Sequence, residues 1–397
     1  MVNIGRYDDQ YLLAKAEEIV VEKTEGSCVL DDEEEKRIPQ FDPTEIRLGG
    51  ILGKGGFCTV SEIARIILQC SGEMDQQFAE EHDVQFTIQD RSFMAKNTLR
   101  KKNNRTDTRY AIKTISESLL SDPERFVAGV IDLAVETKFL AVIKHPNIIK
   151  MRAVSTNSPY SIGYFIVLDR LYDTLTDRLK AWREQKTNMS GFSRVRDLKG
   201  AKKKELWVER LMVAYELVGA LKYLHDMNVI YRDLKPDNIG FDVRGDVKIF
   251  DFGLAKELRS EDLVSDGLYN MSGNTGSLRY MAPEVQRGLP YNQLVDVFSF
   301  TILLWQMLSL ETPFATYNVQ RHSERVVHGG ERPSLNTSKW SKELCELFRQ
   351  GWSANIRKRP HFGVVSTLLR AEFDPYLGEG EGSLLDVSNR TARSLDE

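Results

Sequence analysis

The densest group of side chains able to do chemistry lies near the middle of the 397-residue chain. Residues 231–238 read YRDLKPDN, and Asp251-Phe252-Gly253 follows further along. The oxygens of Asn238 and Asp251 suit Mg²⁺, a hard cation. Asp233 can orient a hydroxyl group and accept its proton, while Lys235 can neutralise charge on a phosphoryl group. A plain polar turn would not need these side chains together, so the set predicts phosphoryl transfer, in which a protein chiefly positions groups and supplies charge.

A glycine cluster between two β-rich segments is the second feature with a chemical meaning. Residues 52–60 read LGKGGFCTV and nearly fit G-x-G-x-x-G-x-V, in which glycines let backbone N–H groups approach phosphate oxygens. Taken alone, the pattern fits an ordinary hairpin turn equally well. A dinucleotide-binding turn would lead into a helix, whereas a strand pattern follows here, which disfavours that type of site.

Lys113 stands at the end of the β-rich run Tyr110-Ala111-Ile112-Lys113. Its ammonium group points off the sheet face opposite its apolar neighbours, where it can reach a phosphate, although most lone lysines on strands are simply solvated. Glu136, on the next predicted helix, can pair with Lys113 and hold its long side chain in one geometry. The pair therefore strengthens the phosphate-binding interpretation.

The elements that must position these side chains fall into a strand-rich half and a helix-rich half. Apolar patterns predict strands over 46–52, 59–67, 109–115 and 164–168 and a helix over 125–141, and the chain is mainly helical from about 205 to 370. Two polar, basic stretches, 69–107 and 186–204, are typical of insertions. The order predicts an α+β protein of two lobes.

Composition and charge exclude several classes of protein. The formal charge is −4, from 54 basic and 58 acidic residues, which argues against a nucleic-acid-coating protein because such domains are usually strongly basic. The four cysteines show no zinc-ligand spacing, which favours a reducing compartment. With neither a secretory signal nor a run able to span a bilayer, we expect the cytoplasm, and also the nucleus, as the location.

The acidic residues 1–45 are expected to form a solvated arm.

With its motifs in this order, the chain resembles a eukaryotic-type protein kinase of the serine/threonine class over about residues 46–370. The resemblance implies the α+β protein kinase fold, with a β-rich N-terminal lobe containing one key helix and a mainly helical C-terminal lobe. It places the kinase domain at 46–371, the interlobe hinge at 169–173 and a tail at 372–397. The segment 277–281, SLRYM, resembles the tyrosine-kinase-like group of these enzymes most closely.

The resemblance also implies a role for each motif residue, with ATP and Mg²⁺ as cofactors and proteins presenting serine or threonine as substrates. The catalytic residues would be Asp233, Lys235, Lys113 and Glu136, and the Mg²⁺ ligands would be Asn238 and Asp251. The nucleotide would be bound by Leu52, Gly53, Gly55, Gly56, Val60, Ala111, Lys113 and Leu171. Glu284, in the Ala282-Pro283-Glu284 motif, would pair with Arg359, and Asp296 would be the buried aspartate of the central helix.

Some positions depart from the family pattern or suggest regulation. Cys58 replaces the third glycine and is either a small filler or a redox-sensitive thiol. Gly240 stands where the family usually has a leucine under the adenine ring, which predicts altered nucleotide affinity. Arg232, beside Asp233, resembles kinases whose activation segment is ordered by a phosphate, with Ser272 and Thr275 as candidate sites for autophosphorylation or an activating kinase.

The sequence alone leaves two other functions open. A pseudokinase acting as a scaffold would have little reason to retain Lys113, Glu136, Asp233, Asn238 and Asp251 together. A kinase acting on a small molecule would lack a peptide-docking segment like the one ending in the Ala-Pro-Glu motif. Nucleic acid is not an expected partner, and no membrane span is expected.

Overall fold

The computed structural model describes residues 9–69, 82–102, 105–188 and 200–376. The chain divides into two compact units. The first comprises Met1–Lys144, Ile149–Leu171 and Asp251–Gly253, and the second comprises His145–Ile148, Tyr172–Phe250 and Leu254–Glu397. The change of unit after Leu171 lies inside the range predicted for the hinge. The predicted tail from 377 onwards and much of the second predicted insertion, 189–199, lie outside the described residues.

The strands described in the first unit form a six-stranded sheet and a short hairpin. The strands are β1 (Gln40–Phe41), β2 (Ile46–Lys54), β3 (Cys58–Ile66), β4 (Leu99–Lys102), β5 (Arg105–Thr108), β6 (Tyr110–Ile115), β7 (Met151–Ser155) and β8 (Phe165–Asp169). The sheet has the order β1-β7-β8-β6-β3-β2, and β4 pairs with β5. Only the β1–β7 pair in this sheet is parallel. β-branched and aromatic side chains, among them Ile63, Ile112 and Val167, fill its core.

In the described part of this unit, four helices accompany the sheet, namely α1 (Asp9–Thr24), α2 (Asp32–Lys36), α3 (His82–Lys96) and α4 (Pro123–Val142). Helix α4 begins where Asp122 accepts a hydrogen bond from the Arg125 amide at 3.2 Å and Pro123 occupies the first helical position. Glu136 and most of its apolar residues, among them Val130, Leu133 and Phe139, are buried. It is the helix expected over 125–141, extended by two residues at its start and one at its end.

The acidic N-terminal arm is packed against the first unit, so the expectation of a solvated arm is wrong. Ala16 and Val20 of α1 are completely buried, and α1 packs along α4. Carboxylates of α2 form ion pairs with Lys138 and Lys144. Strand β1 then joins the sheet edge beside β7. Three of these carboxylates, on Asp32, Glu34 and Glu35, pair with lysines more than a hundred positions away, which composition alone does not reveal.

The first predicted insertion, 69–107, also contributes to the core. Met94 of α3 is buried with Phe41 in the hydrophobic cluster of the first unit. Arg91 donates to both carboxylate oxygens of the buried Glu45, at 2.8 and 3.0 Å. Part of this stretch is therefore structural, and residues 70–81 lie outside the described part of the chain.

The second unit is mainly helical. Its helices are α5 (Leu175–Asn188), α6 (Ala201–Asp226), α7 (Pro283–Gln286), α8 (Leu294–Ser309), α9 (Val319–His322), α10 (Lys342–Gly351) and α11 (Phe362–Phe373). Its strands are β9 (Asp173–Thr174), β10 (Val229–Ile230), β11 (Ile239–Phe241), β12 (Val247–Ile249), β13 (Lys256–Glu257), β14 (Leu263–Ser265) and β15 (Leu268–Tyr269). They form small antiparallel sheets that carry the loops around Asp233.

Helix α8 is the core of the second unit, because every residue from Leu294 to Leu308 is buried. The carbonyl groups at its C-terminal end accept hydrogen bonds from Arg210, at 3.1 and 3.0 Å, and from Lys186, at 3.0 Å. These cations also face the negative end of the helix dipole. Among the described helices, none has the length and apolar content needed to cross a membrane.

Candidate active site

Lys113, Glu136 and Asp251 meet in the first unit. The Lys113 side chain projects from β6, opposite Val60 of β3, and its Nζ donates to Glu136 Oε2 on α4. The same Nζ donates to Asp251 Oδ1 at 3.0 Å. Lys113 and Glu136 are buried, whereas the Asp251 side chain keeps about a third of its surface exposed. The ammonium group is therefore fixed between two carboxylates, as the sequence predicts for Glu136.

Burial and charge set the protonation of this cluster. Burial disfavours the charged form of Lys113, but the carboxylates of Asp251 and Glu136 outweigh it, so the pKa of Lys113 is well above its usual value. Burial also raises the pKa of Glu136, partly offset by the positive charge of Lys113. The lysine is therefore a fixed positive charge at neutral pH, suited to an anionic ligand.

The glycine cluster forms the turn between β2 and β3. The Gly55 amide donates to the Cys58 carbonyl at 2.8 Å, and Gly53 pairs with Val60. A Cβ atom added at Gly53 or Gly56 would meet nothing within 4 Å among the described residues. The packing of the protein therefore does not require glycine at these two positions, whereas the predicted close approach of a phosphate to the backbone would.

The other residues predicted to bind a nucleotide lie on or beside this sheet. Ala111 is on β6, where it pairs with Leu168 of β8 and Glu62 of β3, and Leu52 is partly exposed on β2. Leu171 follows β8 in the loop where the first unit ends. These roles stay predictions.

Cys58 is buried on β3 beside the glycine turn. Burial raises the pKa of its thiol to about 12. A thiol that stays protonated and inaccessible is a poor redox sensor, so the structure favours the small-filler interpretation.

Asp233 is the centre of a hydrogen-bonded cluster in the second unit. Lys235 Nζ donates to Asp233 Oδ2 at 2.6 Å, and Asn238 Nδ2 donates to the same oxygen at 2.9 Å. Ser277 Oγ donates to Oδ1 at 2.8 Å. Three donors on two oxygens hold the carboxylate in one orientation, as a group that positions a hydroxyl must be held.

Asp296 of α8 positions the loop that carries Asp233. This completely buried carboxylate accepts from the backbone amides of Tyr231 and Arg232, each at 2.9 Å, and lies 3.0 Å from His225 Nε2. Arg232 has a positive φ of 68°, which costs a residue with a side chain free energy. The two hydrogen bonds to Asp296 stabilise this strained backbone.

Asn238, in the second unit, and Asp251, in the first unit, each present an oxygen of the type that suits Mg²⁺. Both hydrogen bonds of the Asn238 amide to Asp233 use its nitrogen, which leaves the amide oxygen as the atom suited to a cation. Asp251 supplies a partly exposed carboxylate. Carboxylate and amide oxygens are the ligand types that Mg²⁺ prefers.

Comparison with known proteins identifies the family. Residues 97–372, more than half of the chain, match the protein kinase domain. The chain belongs to the protein kinase domain family. The predicted family and α+β fold are thereby confirmed. The glycine turn at 52–60 lies before the matched residues, so its nucleotide-binding role stays a prediction.

Relatives of this kinase domain include several serine/threonine-protein kinases. The chain is 29% identical to STY17 of Arabidopsis thaliana over 250 residues and 32% identical to VIK of the same plant over 260 residues. These alignments cover 62% and 64% of this chain but only 38% and 52% of the relatives. It is also 33% identical, over 188 residues, to cAMP-dependent protein kinase type 3 of Saccharomyces cerevisiae, covering 43% of this chain and 44% of that one.

The segment of the kinase domain between Asp251 and Glu284 reaches back to the Asp233 loop. Arg232 donates through Nη1 to the exposed Ser272 Oγ at 3.0 Å and through Nε to the Leu254 carbonyl at 2.7 Å. Thr275 Oγ1 donates to Ser272 Oγ at 3.1 Å. Both predicted phosphorylation sites therefore lie close to the predicted arginine.

Sequence reasoning missed why two glycines occupy their positions in the kinase domain. Gly276 has a φ of 102°, and a Cβ atom there would lie 2.3 Å from the Arg232 carbonyl oxygen. A Cβ atom at Gly253 would lie 1.9 Å from Asp132 Oδ1. Gly276 requires glycine because its φ is positive and the close atom belongs to the backbone, whereas at Gly253 the Asp132 side chain would have to move; neither contact is revealed by the sequence neighbours.

The ion pair predicted between Glu284 and Arg359 is present. The guanidinium donates to both carboxylate oxygens, at 2.5 and 2.9 Å, and also to the carbonyl groups of Ser353 and Leu294. Both residues are buried. The pair joins the end of the Ala-Pro-Glu motif to the start of α8.

Gly240 lies on β11 opposite Thr174 and Lys248, and its predicted effect on nucleotide affinity stays a prediction.

Proposed function

We propose that this kinase domain transfers the γ-phosphoryl group of ATP to serine or threonine hydroxyl groups of proteins. The observation that carries the proposal is the Asp233 carboxylate fixed by Lys235, Asn238 and Ser277. Its family membership and its similarity to serine/threonine-protein kinases support the same conclusion. The tyrosine-kinase-like subgroup stays part of the proposal.

Each residue would act on a different part of the reaction. Asp233 would orient the substrate hydroxyl group and accept its proton. Lys235 would neutralise negative charge on the phosphoryl group as it moves to the hydroxyl group. Lys113, held by Glu136, would bind the α- and β-phosphates. Asn238 and Asp251 would hold Mg²⁺. When bound, ATP and Mg²⁺ supply the phosphoryl group and the positive charge that neutralises its oxygens.

Activation by phosphorylation at Ser272 or Thr275 belongs to the same proposal. A phosphate on Ser272 would place a dianion next to the Arg232 guanidinium, which is already 3.0 Å from the hydroxyl group. Charge-assisted hydrogen bonds of this kind order a segment. Phosphate mapping of active protein that finds neither residue modified would contradict this part. The cytoplasmic or nuclear location stays a prediction.

Transfer from labelled ATP with Mg²⁺ to a generic basic protein, followed by phosphoamino-acid analysis, tests the function. We expect labelled serine or threonine with the wild type and a loss of at least about 100-fold with Asp233→Asn or Asp251→Asn. Asp237→Asn is the matched control, because it is the same substitution in the same loop. Asp237 is exposed, and its carboxylate accepts a hydrogen bond from the Thr176 hydroxyl group.

The outcomes separate the open alternatives. Transfer that survives in Asp233→Asn would contradict the assigned base. An inactive wild type, even with a phosphorylated activation segment, would favour the pseudokinase scaffold. Transfer to small alcohols or amines but not to proteins would favour a small-molecule kinase.

A further inference from the structure

We propose that the acidic arm, residues 9–41, is a positioning element that holds helix α4 against the sheet and so keeps Glu136 beside Lys113. The effect on catalysis rests on the proposed kinase function. The contacts that carry the inference lie within the first unit.

Ion pairs attach the arm to α4 and to the residues that follow it. Lys138 Nζ lies 3.0 Å from Asp32 Oδ1 and 3.0 Å from Glu35 Oε2, and the Lys138 side chain is only 19% exposed. Lys144 Nζ lies 2.7 Å from Glu34 Oε2. Burial would lower the pKa of Lys138, but the carboxylates of Glu35 and Asp32 outweigh it and raise that pKa. Lys138 therefore stays charged while partly removed from water.

The position of Lys138 on the helix shows which face the arm covers. Lys138 follows Glu136 by two residues, which places their side chains about 200° apart around an α-helix. Glu136 points to Lys113 on the sheet, so the α2 carboxylates approach α4 from the opposite side. Helix α4 therefore has Lys113 of the sheet on one side and α2 of the arm on the other.

Apolar packing and strand pairing complete the attachment. Ala16 and Val20 of α1, one helical turn apart, are completely buried where α1 runs along α4. At its other end the arm pairs with the sheet, with Gln40 opposite Val154 and Phe41 opposite Ser155. Because the same sheet carries Lys113 on β6, the arm links both partners of the Lys113–Glu136 pair.

Charge reversal on α2 tests the inference in the full-length chain. Asp32→Lys combined with Glu35→Lys places two cations beside Lys138. The matched control is Glu22→Lys combined with Glu33→Lys, because it changes the charge equally within the arm. Glu22 is exposed, and Glu33 pairs with Lys36 inside the arm. The rescue variant adds Lys138→Glu to the first pair, which restores opposite charges.

Two readouts are needed, namely phosphoryl transfer with its kcat and KM for ATP, and amide hydrogen exchange over residues 123–142. We expect Asp32→Lys/Glu35→Lys to lower kcat/KM at least fivefold and to speed exchange in α4 at least threefold, because the helix leaves its position more often. The control should stay within twofold of the wild type, and the rescue variant should regain most of the loss. Unchanged exchange, equal effects in the control, or increased activity would overturn the inference.

Hydrogen exchange separates this inference from the proposed function, because it does not depend on catalysis. Faster exchange in the charge-reversed variant with an inactive wild type would support the attachment of the arm and contradict the kinase activity. Full activity in every variant, with identical exchange, would support the kinase and contradict the role of the arm.

Discussion

At the residue scale, the environment of Cys58 distinguishes between its two possible roles, a small filler and a redox-sensitive thiol. Its side chain is buried and burial raises its thiol pKa to about 12, so the reactive thiolate is scarce at neutral pH. We expect Cys58 to resist alkylation by iodoacetamide at pH 8 in the native protein, while the exposed Cys28 is modified readily. Peptide mass spectrometry after timed labelling measures both rates in one sample.

Unfolding in guanidinium chloride supplies the control for this measurement. It removes the burial of Cys58, so the two cysteines should then react at similar rates. Native labelling of Cys58 as fast as that of Cys28 would contradict the filler interpretation and return the redox-sensitive thiol to consideration.

Sequence alone predicts the position of some residues around the Asp233 carboxylate but not of others. Asp233, Lys235 and Asn238 stand in one short loop, so their spacing alone predicts that they lie close together. Ser277 donates to the same carboxylate from a distant segment, and only the folded chain shows that hydrogen bond. Motif spacing predicts local clusters, whereas donors from distant segments need the tertiary structure.

At the scale of elements, the Glu284–Arg359 pair joins α7 to the turn before α11. Arg359→Ala would leave Glu284 buried without its bidentate partner, and breaking a buried ion pair costs about 3–5 kcal/mol. We therefore expect a decrease of that order in the free energy of unfolding of the second unit. Denaturant titration followed by tryptophan fluorescence measures it.

Arg357→Ala is the matched control for this substitution. Arg357 lies two residues earlier and pairs with Asp266, but both side chains are largely exposed, at 64% and 70%. Exposed pairs contribute about 0–1 kcal/mol. Equal effects of the two substitutions would show that burial does not strengthen the Glu284 pair as we argue.

Some helices and strands are predicted by an apolar pattern in their own sequence, whereas others are not. Strands β2, β3 and β6 and helices α4 and α8 lie where apolar patterns predict them. The packing of the arm has no such pattern, because Ala16 and Val20 are the only completely buried residues among the described side chains of α1, and its acidic run resembles a solvated tail. Its partners Lys138 and Lys144 are distant in sequence, so no local pattern reveals the contact.

At the scale of the whole molecule, the buried His322 and the half-buried His145 predict how stability depends on pH. Burial lowers the pKa of His145, beside Lys248, to about 4, and that of His322, near Arg279 and Arg332, to about 4. In the unfolded chain both titrate near 6.5. Between these values the unfolded state binds more protons, so the contribution of these two histidines to the free energy of unfolding is fully present above pH 6.5 and is lost as the pH falls towards 4.

His322→Leu isolates one of these contributions. Both ring nitrogens of His322 are buried without a hydrogen-bond partner among the described residues, so an apolar side chain loses no hydrogen bond there. We expect a flatter decline in the free energy of unfolding between pH 6.5 and 4, by on the order of 2 kcal/mol. Urea titrations of both proteins at pH 7.5, 6, 5 and 4 measure the difference. Parallel curves would contradict a neutral buried His322 and would assign the acid sensitivity to carboxylates that lose their partners on protonation.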